Sequence, residues 1–407
     1  MKILRIIARL NVGGPARHVV WLTAGLNDNE FRSALIAGSV PAGEGDMAYF
    51  AEENGVRPMF IAEMSRELSL RDIVSLFKVY REIKRFRPDV IHTHTAKAGT
   101  IGRTAAFFYR WFTAGVFVGR PRRIRVFHTF HGHVFHSYYG RWKTALFILI
   151  ERFLAFAATD KIIVITPQQL DEINGRFKVG RRGQFEVVRL GIELGSFADG
   201  TEMRSRFRAA IAAADNEILV GLIGRLTEIK NIPMFLRAAE LCRDDKSAEG
   251  ARIRFIIVGD GHLRKNLEAE TAHRGLGDSV LFLGNRDDIE EVYAGIDIVA
   301  LTSTNEGTPL SLIEGMASAR PVISTSVGGV KDLLGDEIET CNGFTICRRG
   351  LGIASGNAEG FSSGLIYLAK NEKLRESLGQ AGKSFIKANY SKERLIEDIR
   401  TLYRSGQ

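Results

Sequence analysis

Two carboxylates eight residues apart, Glu306 and Glu314, stand in a stretch where Glu314 is the sole charge between Gly307 and Ala319. A surface helix usually carries several charges on one face, so a helix over Pro309–Ala319 with a single charge is packed on most sides. An isolated carboxylate in such a place requires a hydrogen-bonding partner. Thr308 is placed to cap this helix and Pro309 to occupy its first position. Projected on a helix, Glu314 falls at the edge of the apolar stripe of Leu310, Ile313 and Ala317. Glu306 precedes the helix, where backbone N–H groups are free. The pair suggests an acid and a base, as in glycoside hydrolysis.

Arg225 and Lys230 end an apolar strand, with Asn231 and Pro233 opening the next helix. Two cations beside a helix N-terminus suit a diphosphate, because N–H groups and the helix dipole add to charge-assisted bonds. A surface pair flanking a turn is the competing reading. Gly13 and Gly14 let a backbone approach a ligand closely, although a plain turn also uses them. Neither the G-x-G-x-x-G spacing nor a Walker loop is present. His92 and His94, with His128, His131, His133 and His136, invite a metal reading. They lack acidic or cysteine partners, so no metal is expected and they read as polar cleft lining. His18, His262 and His273 read as surface residues.

These groups need elements to position them. Apolar runs at Ile3–Ala8, Ala34–Ala37, Val90–Ile91, Val126–Phe130, Lys161–Ile165 and Glu186–Val188 read as buried strands, separated by helical patterns near Ala16–Leu26, Leu70–Phe86, Thr100–Phe112, Thr144–Ala157 and Pro167–Asn174. The rhythm restarts with strands at Leu219–Ile223, Arg254–Val258, Val280–Leu283, Ile298–Leu301 and Pro321–Ser324. Strand–helix–strand repeats of this length imply right-handed crossovers and parallel sheets. The fold class is therefore α/β, with two doubly wound Rossmann-like domains facing across a cleft. The expected division is 1–195, 196–385 and a closing segment 386–407 whose helix packs back on one of the two. Such sheets bind ligands beyond the carboxyl ends of their strands, and each cluster named above falls at a strand exit.

Composition sets outer bounds. The 407 residues are 45% hydrophobic and 25% charged, as in globular proteins of two ordinary domains. No secretory signal is expected at the start, and the longest apolar candidate, Thr144–Thr159, is broken by Glu151 and Arg152. Cys242, Cys341 and Cys347 form no ligand spacing and suggest a reducing, cytoplasmic setting. Residues 1–200 hold 29 Lys and Arg against 18 Asp and Glu, leaving 27 against 29 for the remainder. A basic half attracts phosphate-bearing substrates or an anionic membrane surface. Its densest cluster, with Arg120, Arg122, Arg123 and Arg125, follows Phe107, Phe108, Tyr109, Trp111, Phe112 and Phe117, a pairing suited to a membrane interface. No nucleic-acid motif accompanies the charge.

Several motifs together resemble family 4 glycosyltransferases of the GT-B fold. They are Gly224-Arg225-Leu226 with Lys230-Asn231, Val258-Gly259-Asp260-Gly261, Glu306 with Glu314, Arg320-Pro321-Val322-Ile323, and Gly328-Gly329. The run His92-Thr93-His94-Thr95-Ala96-Lys97-Ala98-Gly99 and His131-Gly132-His133 resemble the amino-terminal half of bacterial members that make surface polysaccharides. The resemblance implies a retaining, metal-independent transferase without cofactor. It would take a nucleotide-diphosphate sugar, a UDP-sugar, to a lipid-linked or growing glycan. It implies catalytic roles for Arg225 and Lys230 at the diphosphate, Glu306 at the donor sugar and His131 near the transferred sugar. Glu314 is implied at the ribose, and Gly13, Gly14, Gly224, Gly307, Thr308, Pro309 and Leu310 around the donor. A nucleotide-sugar isomerase and a non-catalytic sugar-nucleotide-binding protein remain alternatives at this point.

Overall fold

The computed structural model describes all residues except 12, 41–44, 65–70, 133–140, 198–199, 246–251 and 406–407. His133 and His136 therefore lie outside the described residues. The chain divides into two compact units, one of Met1–Gly191 with Lys392–Gln407 and one of Ile192–Ser391.

In the first unit, strands β1 (Lys2–Ile7), β2 (Arg32–Gly38), β3 (Met59–Ile61), β4 (Val90–His94), β5 (Arg125–Phe130), β6 (Lys161–Val164) and β7 (Phe185–Val187) form one sheet in the order β3-β2-β1-β4-β5-β6-β7. Every pairing is parallel. The connecting helices are α1 (Gly14–Gly25), α2 (Ala48–Glu53), α3 (Arg71–Phe86), α4 (Ala96–Trp111), α5 (Arg141–Ala157) and α6 (Pro167–Leu170). Central strands are covered on both faces, which is why β1 is apolar from Ile3 to Ile7 except at Arg5, itself buried, rather than alternating. Short α2 and β3 carry too little pattern to be seen in the sequence.

The second unit opens with α7 (Thr201–Ala210), followed by β8 (Glu217–Ile223), α8 (Ile232–Asp244), β9 (Arg252–Val258), α9 (Arg264–His273), β10 (Val280–Gly284), α10 (Ile289–Gly295), β11 (Ile298–Leu301), α11 (Leu310–Ala317), β12 (Val322–Thr325) and α12 (Val330–Leu334). Then come β13 (Glu337–Thr340), β14 (Thr345–Cys347), β15 (Gly350–Ile353), α13 (Ala358–Lys370) and α14 (Glu372–Asn389). The sheet order is β10-β9-β8-β11-β12-β15-β14-β13. It is parallel through β15, and β14 and β13 extend it antiparallel. This mixed edge departs from the expected all-parallel pattern: Gly343 turns the chain back at φ +85, so β13 and β14 can pair as a hairpin without a crossover. The last helix, α15 (Lys392–Arg404), belongs to the first unit, where Leu395, Ile399 and Tyr403 are buried among Ile3, Leu22 and Phe127.

Candidate active site

In the second unit, two strand exits are locked together. Past β8 and β9, the Gly224 N–H donates to the Val258 carbonyl (2.9 Å) and the Leu226 N–H to that of Asp260 (3.0 Å). A Cβ on Gly259, at φ +128, would lie 2.1 Å from the Gly224 carbonyl oxygen, so the crossing requires glycine. Asn231 takes the left-handed conformation (φ 45) between a single 3-10 turn, Glu228–Lys230, and α8. That kink turns Lys230 back across Gly224.

Lys230 Nζ donates to Glu306 Oε1 at 2.6 Å, and Ser303 Oγ donates to the same oxygen at 2.7 Å. Side-chain exposures of 19% and 13% leave the ion pair partly desolvated, where its charge-assisted bond is strong. The loop carrying Glu306 is fixed from three sides. Thr302 Oγ1 donates to the Lys230 carbonyl (2.9 Å), Thr325 Oγ1 to that of Ser303 (2.6 Å), and the Thr304 N–H to that of Ile229 (2.8 Å). Arg225, one residue past Gly224, is exposed. The sequence separated Lys230 and Glu306 into two clusters; the fold makes them one.

Beyond Glu306, α11 begins one residue later than expected. Pro309, at ψ 111, takes the N-cap place and no side chain caps the helix. Thr308 is thus outside the helix and out of reach of the capping position. Its Oγ1 and the Oγ of Ser311 are buried without a partner among the described residues. The expected cap by Thr308 is absent, and two hydroxyls are left at the helix opening beside Gly307 and Leu310. Glu314 has a protein partner, Tyr293 of α10, whose hydroxyl donates to Glu314 Oε2 at 2.9 Å. Burial, with the neighbouring carboxylate, holds the Tyr293 phenol well above its usual range. No sequence signal pointed to Tyr293, because the contact spans 21 positions and two elements.

In the first unit, Gly13 and Gly14 open α1, and a Cβ on Gly13 would meet nothing closer than Pro15 at 3.8 Å, so the space beside it is open. The histidines differ from the expectation. His92, Thr93 and His94 are the last residues of β4 and are fully buried, and His128 lies inside β5; of the described members of the cluster only His131 follows a strand end. The apolar run Val90–Ile91 understated β4 because its polar residues find partners. His92 shares hydrogen bonds with Tyr403 (Nδ1, 2.6 Å) and Thr129 (Nε2, 2.7 Å), and His128 with Thr93 (2.9 Å). His94 Nδ1 and His131 Nε2 share another at 3.0 Å.

His18 is not a surface residue. One turn into α1 it is 2% exposed, with its ring edge-on to His131 at 4.8 Å and both nitrogens without a partner among the described residues. Burial pushes His18, His92, His94 and His128 well below the usual imidazole range and His131 to about 4. His18, His94 and His131 each offer a nitrogen within 4.8 Å of the others, the one such ligand group among the described residues. It has no carboxylate, and the buried Arg5 guanidinium adds positive charge. Neutral imidazoles with spare N–H and lone-pair capacity can bond hydroxyl or phosphate oxygens, and three of them are also a set that can hold zinc.

Of the basic cluster, Arg120, Arg122 and Arg123 are exposed, with Arg122 stacked over Tyr109 at 4.4 Å. Arg125 turns inward and donates to the Tyr403 carbonyl, so it leaves the surface group.

Residues 203–385 match glycosyl transferases group 1, and residues 12–195 match Glycosyltransferase Family 4. The UDP-Gal:alpha-D-GlcNAc-diphosphoundecaprenol alpha-1,3-galactosyltransferase of Escherichia coli is 28% identical over 304 residues, 72% of this chain and 72% of its own. The capsular polysaccharide biosynthesis glycosyltransferase CapM of Staphylococcus aureus is 22% identical over 85% of this chain and 84% of its own. Anabaena HepE, solved in complex with UDP, superposes with a TM-score of 0.78 at 18% identity over all of both chains. The two Rossmann-like units, the strand-exit motifs and these matches make the chain a member of family 4 of the glycosyltransferases, with the GT-B fold.

Proposed function

We propose that this glycosyltransferase transfers a sugar from a UDP-sugar to a lipid-linked or growing glycan in cell-surface polysaccharide synthesis, with retention at the anomeric carbon and without a metal. The observation that carries the reading is the Lys230–Glu306–Ser303 cluster beside exposed Arg225. A UDP-sugar donor and a diphospholipid-linked acceptor stand in the name of the Escherichia coli relative, and UDP and UDP-glucose complexes are known for HepE.

In this reading Lys230 and Arg225 stabilise the charge that develops on the departing diphosphate. Fixed cations in a partly desolvated place act on the transition state more than on the ground state. Neutralisation by side chains fills the place a divalent ion would otherwise take. Glu306, already oriented by Ser303, bonds the donor sugar, and the Lys230 contact keeps it ionised and aimed. Glu314, held by Tyr293, bonds the ribose. Gly224, Gly307, Thr308, Pro309 and Leu310 shape the diphosphate seat, with the two spare hydroxyls of Thr308 and Ser311 as further donors. His131 serves the transferred sugar, with Gly13 and Gly14 on the phosphate and acceptor side.

The free cysteines fit a reducing, cytoplasmic setting. No helix among the described residues is long and apolar enough to cross a membrane. Exposed Arg120, Arg122 and Arg123 are placed for an anionic surface. Arg225→Ala, Lys230→Ala and Glu306→Ala test the assignment: each should abolish transfer from a UDP-sugar while the protein keeps its fold by circular dichroism. Full transfer by any of them overturns it. Incubation with donor alone separates an isomerase, which would convert the sugar without an acceptor.

A further inference from the structure

Helix α5 is apolar on its outer side as well as on its inner one, where Leu154 and Ala155 are buried. Its inward side carries Glu151, which is buried and paired with buried Arg103 of α4 at 2.6 Å. Among its described side chains the outward ones are Ala145, Leu146, Leu149, Arg152, Phe153 and Phe156, five of six apolar. Leu146, Leu149, Phe153 and Phe156 are 53, 62, 60 and 74% exposed. A surface helix ordinarily shows a polar outer side. Together these four side chains present on the order of 400 Å² of apolar surface, a size at which a patch on a lone chain marks an interaction site.

The surroundings identify its partner. α4 packs between α3 and α5, and α3 adds exposed Ile73, Val74 and Phe77. Residues 101–150 contain eight Lys and Arg and no Asp or Glu. Arg181 lies over the Phe156 ring at 5.6 Å, and Arg152 anchors beside it on the Phe177 carbonyl. Exposed Arg120, Arg122 and Arg123 follow α4, next to exposed Trp111, Phe112 and Phe117. An apolar stripe rimmed by arginines complements an anionic lipid headgroup layer. A second copy of the chain would bring the same arginines against each other across a two-fold axis.

We propose that the outer side of α5 is where this enzyme lies on an anionic membrane, with Leu146, Leu149, Phe153 and Phe156 entering the interface. This rests on the proposed lipid-linked acceptor, whose reactive end sits at that surface. It moves the main attachment from the arginine cluster after α4 to a helix whose surface pattern the sequence did not reveal.

The test is co-sedimentation of the full chain with phosphatidylcholine vesicles, with and without phosphatidylglycerol. Wild type should bind the anionic vesicles and not the neutral ones. Phe153→Ser combined with Phe156→Ser should lower partition by about 25-fold, about fivefold per aromatic. Ile338→Ser, an equally exposed apolar residue of the second unit, should leave partition unchanged. Stabilisation by UDP-glucose should persist in the double variant; it reads the donor site and vesicle binding reads the surface, so either can fail alone. Absence of wild-type binding to anionic vesicles, or equal binding by the double variant, overturns the proposal. So does a wild-type dimer in sedimentation velocity that the double variant dissociates, which would give the face to a second copy.

Discussion

Gly328→Ala is a small change with a large consequence if the Glu306 loop does what is proposed. Gly328 has φ +53, and a Cβ there would lie 1.8 Å from the Glu306 carbonyl oxygen and 2.9 Å from its carbon. A carbon approaches a carbonyl oxygen no closer than about 3.3 Å, so the loop and Gly328 must separate by roughly 1.5 Å. That carbonyl also accepts from the Gly329 N–H at 3.2 Å. Displacement draws the carboxylate away from Lys230 and Ser303, and misplacement of about 1 Å at a reacting centre lowers rate by about 100-fold. Stability should fall by about 1–3 kcal/mol from the left-handed backbone and the clash. Gly356→Ala separates the two effects: Gly356 has φ +83 but open space around a Cβ, so it should lose about 1 kcal/mol of stability and keep transfer. Steady-state transfer and urea denaturation of both variants decide the matter. Transfer within twofold of wild type in Gly328→Ala, or an equal loss in Gly356→Ala, refutes the reasoning.

Other perturbations reach different parts of the account. Lys230→Met should lower kcat by about 100- to 1000-fold and weaken UDP as well, because UDP carries in full the charge that develops on the leaving group; kcat and UDP affinity measured together check this. Tyr293→Phe removes the bond to Glu314 and should weaken UDP by about three- to tenfold in titration calorimetry. Four buried histidines, His18, His92, His94 and His128, and the partly buried His131 are held below their usual range. The unfolded chain takes up protons near pH 6.5 while the fold resists, in the case of His131 down to about 4. Their stabilisation is therefore complete above about pH 6.5 and is lost progressively as the pH falls below it, at up to about 1.4 kcal/mol per pH unit for each histidine. Urea denaturation at neutral and mildly acidic pH measures it, and equal stability at both contradicts it.

The doubly wound architecture was legible because buried parallel strands are continuous apolar runs separated by helical periods, a signal that β8 and β11 carry strongly. Strand exits then located Arg225, Lys230 and Glu306. Polar residues inside strands were misplaced. His92 and His94 broke the apolar run, and only tertiary partners such as Tyr403 and Thr129 explain why they can be buried. His18 was missed because one histidine in a helix looks the same whether it faces solvent or a cluster. Thr308 looked like a cap, but the extended conformation of Pro309 moved the helix start by one residue. Tyr293 and Ser303 became visible only when the fold brought α10 and the β11 exit to the two carboxylates.

The central claim is that Arg225 and Lys230 hold the diphosphate of a UDP-sugar. Thermal unfolding of wild type, Arg225→Ala and Lys230→Ala against UDP-glucose, UDP-galactose, UDP and uridine tests it most directly, since a ligand stabilises only the state that binds it. The account predicts that at least one UDP-sugar and UDP raise the melting temperature of wild type, that uridine does not, and that both variants lose the shift. Equal shifts in wild type and variants, or none with any UDP compound, would contradict it.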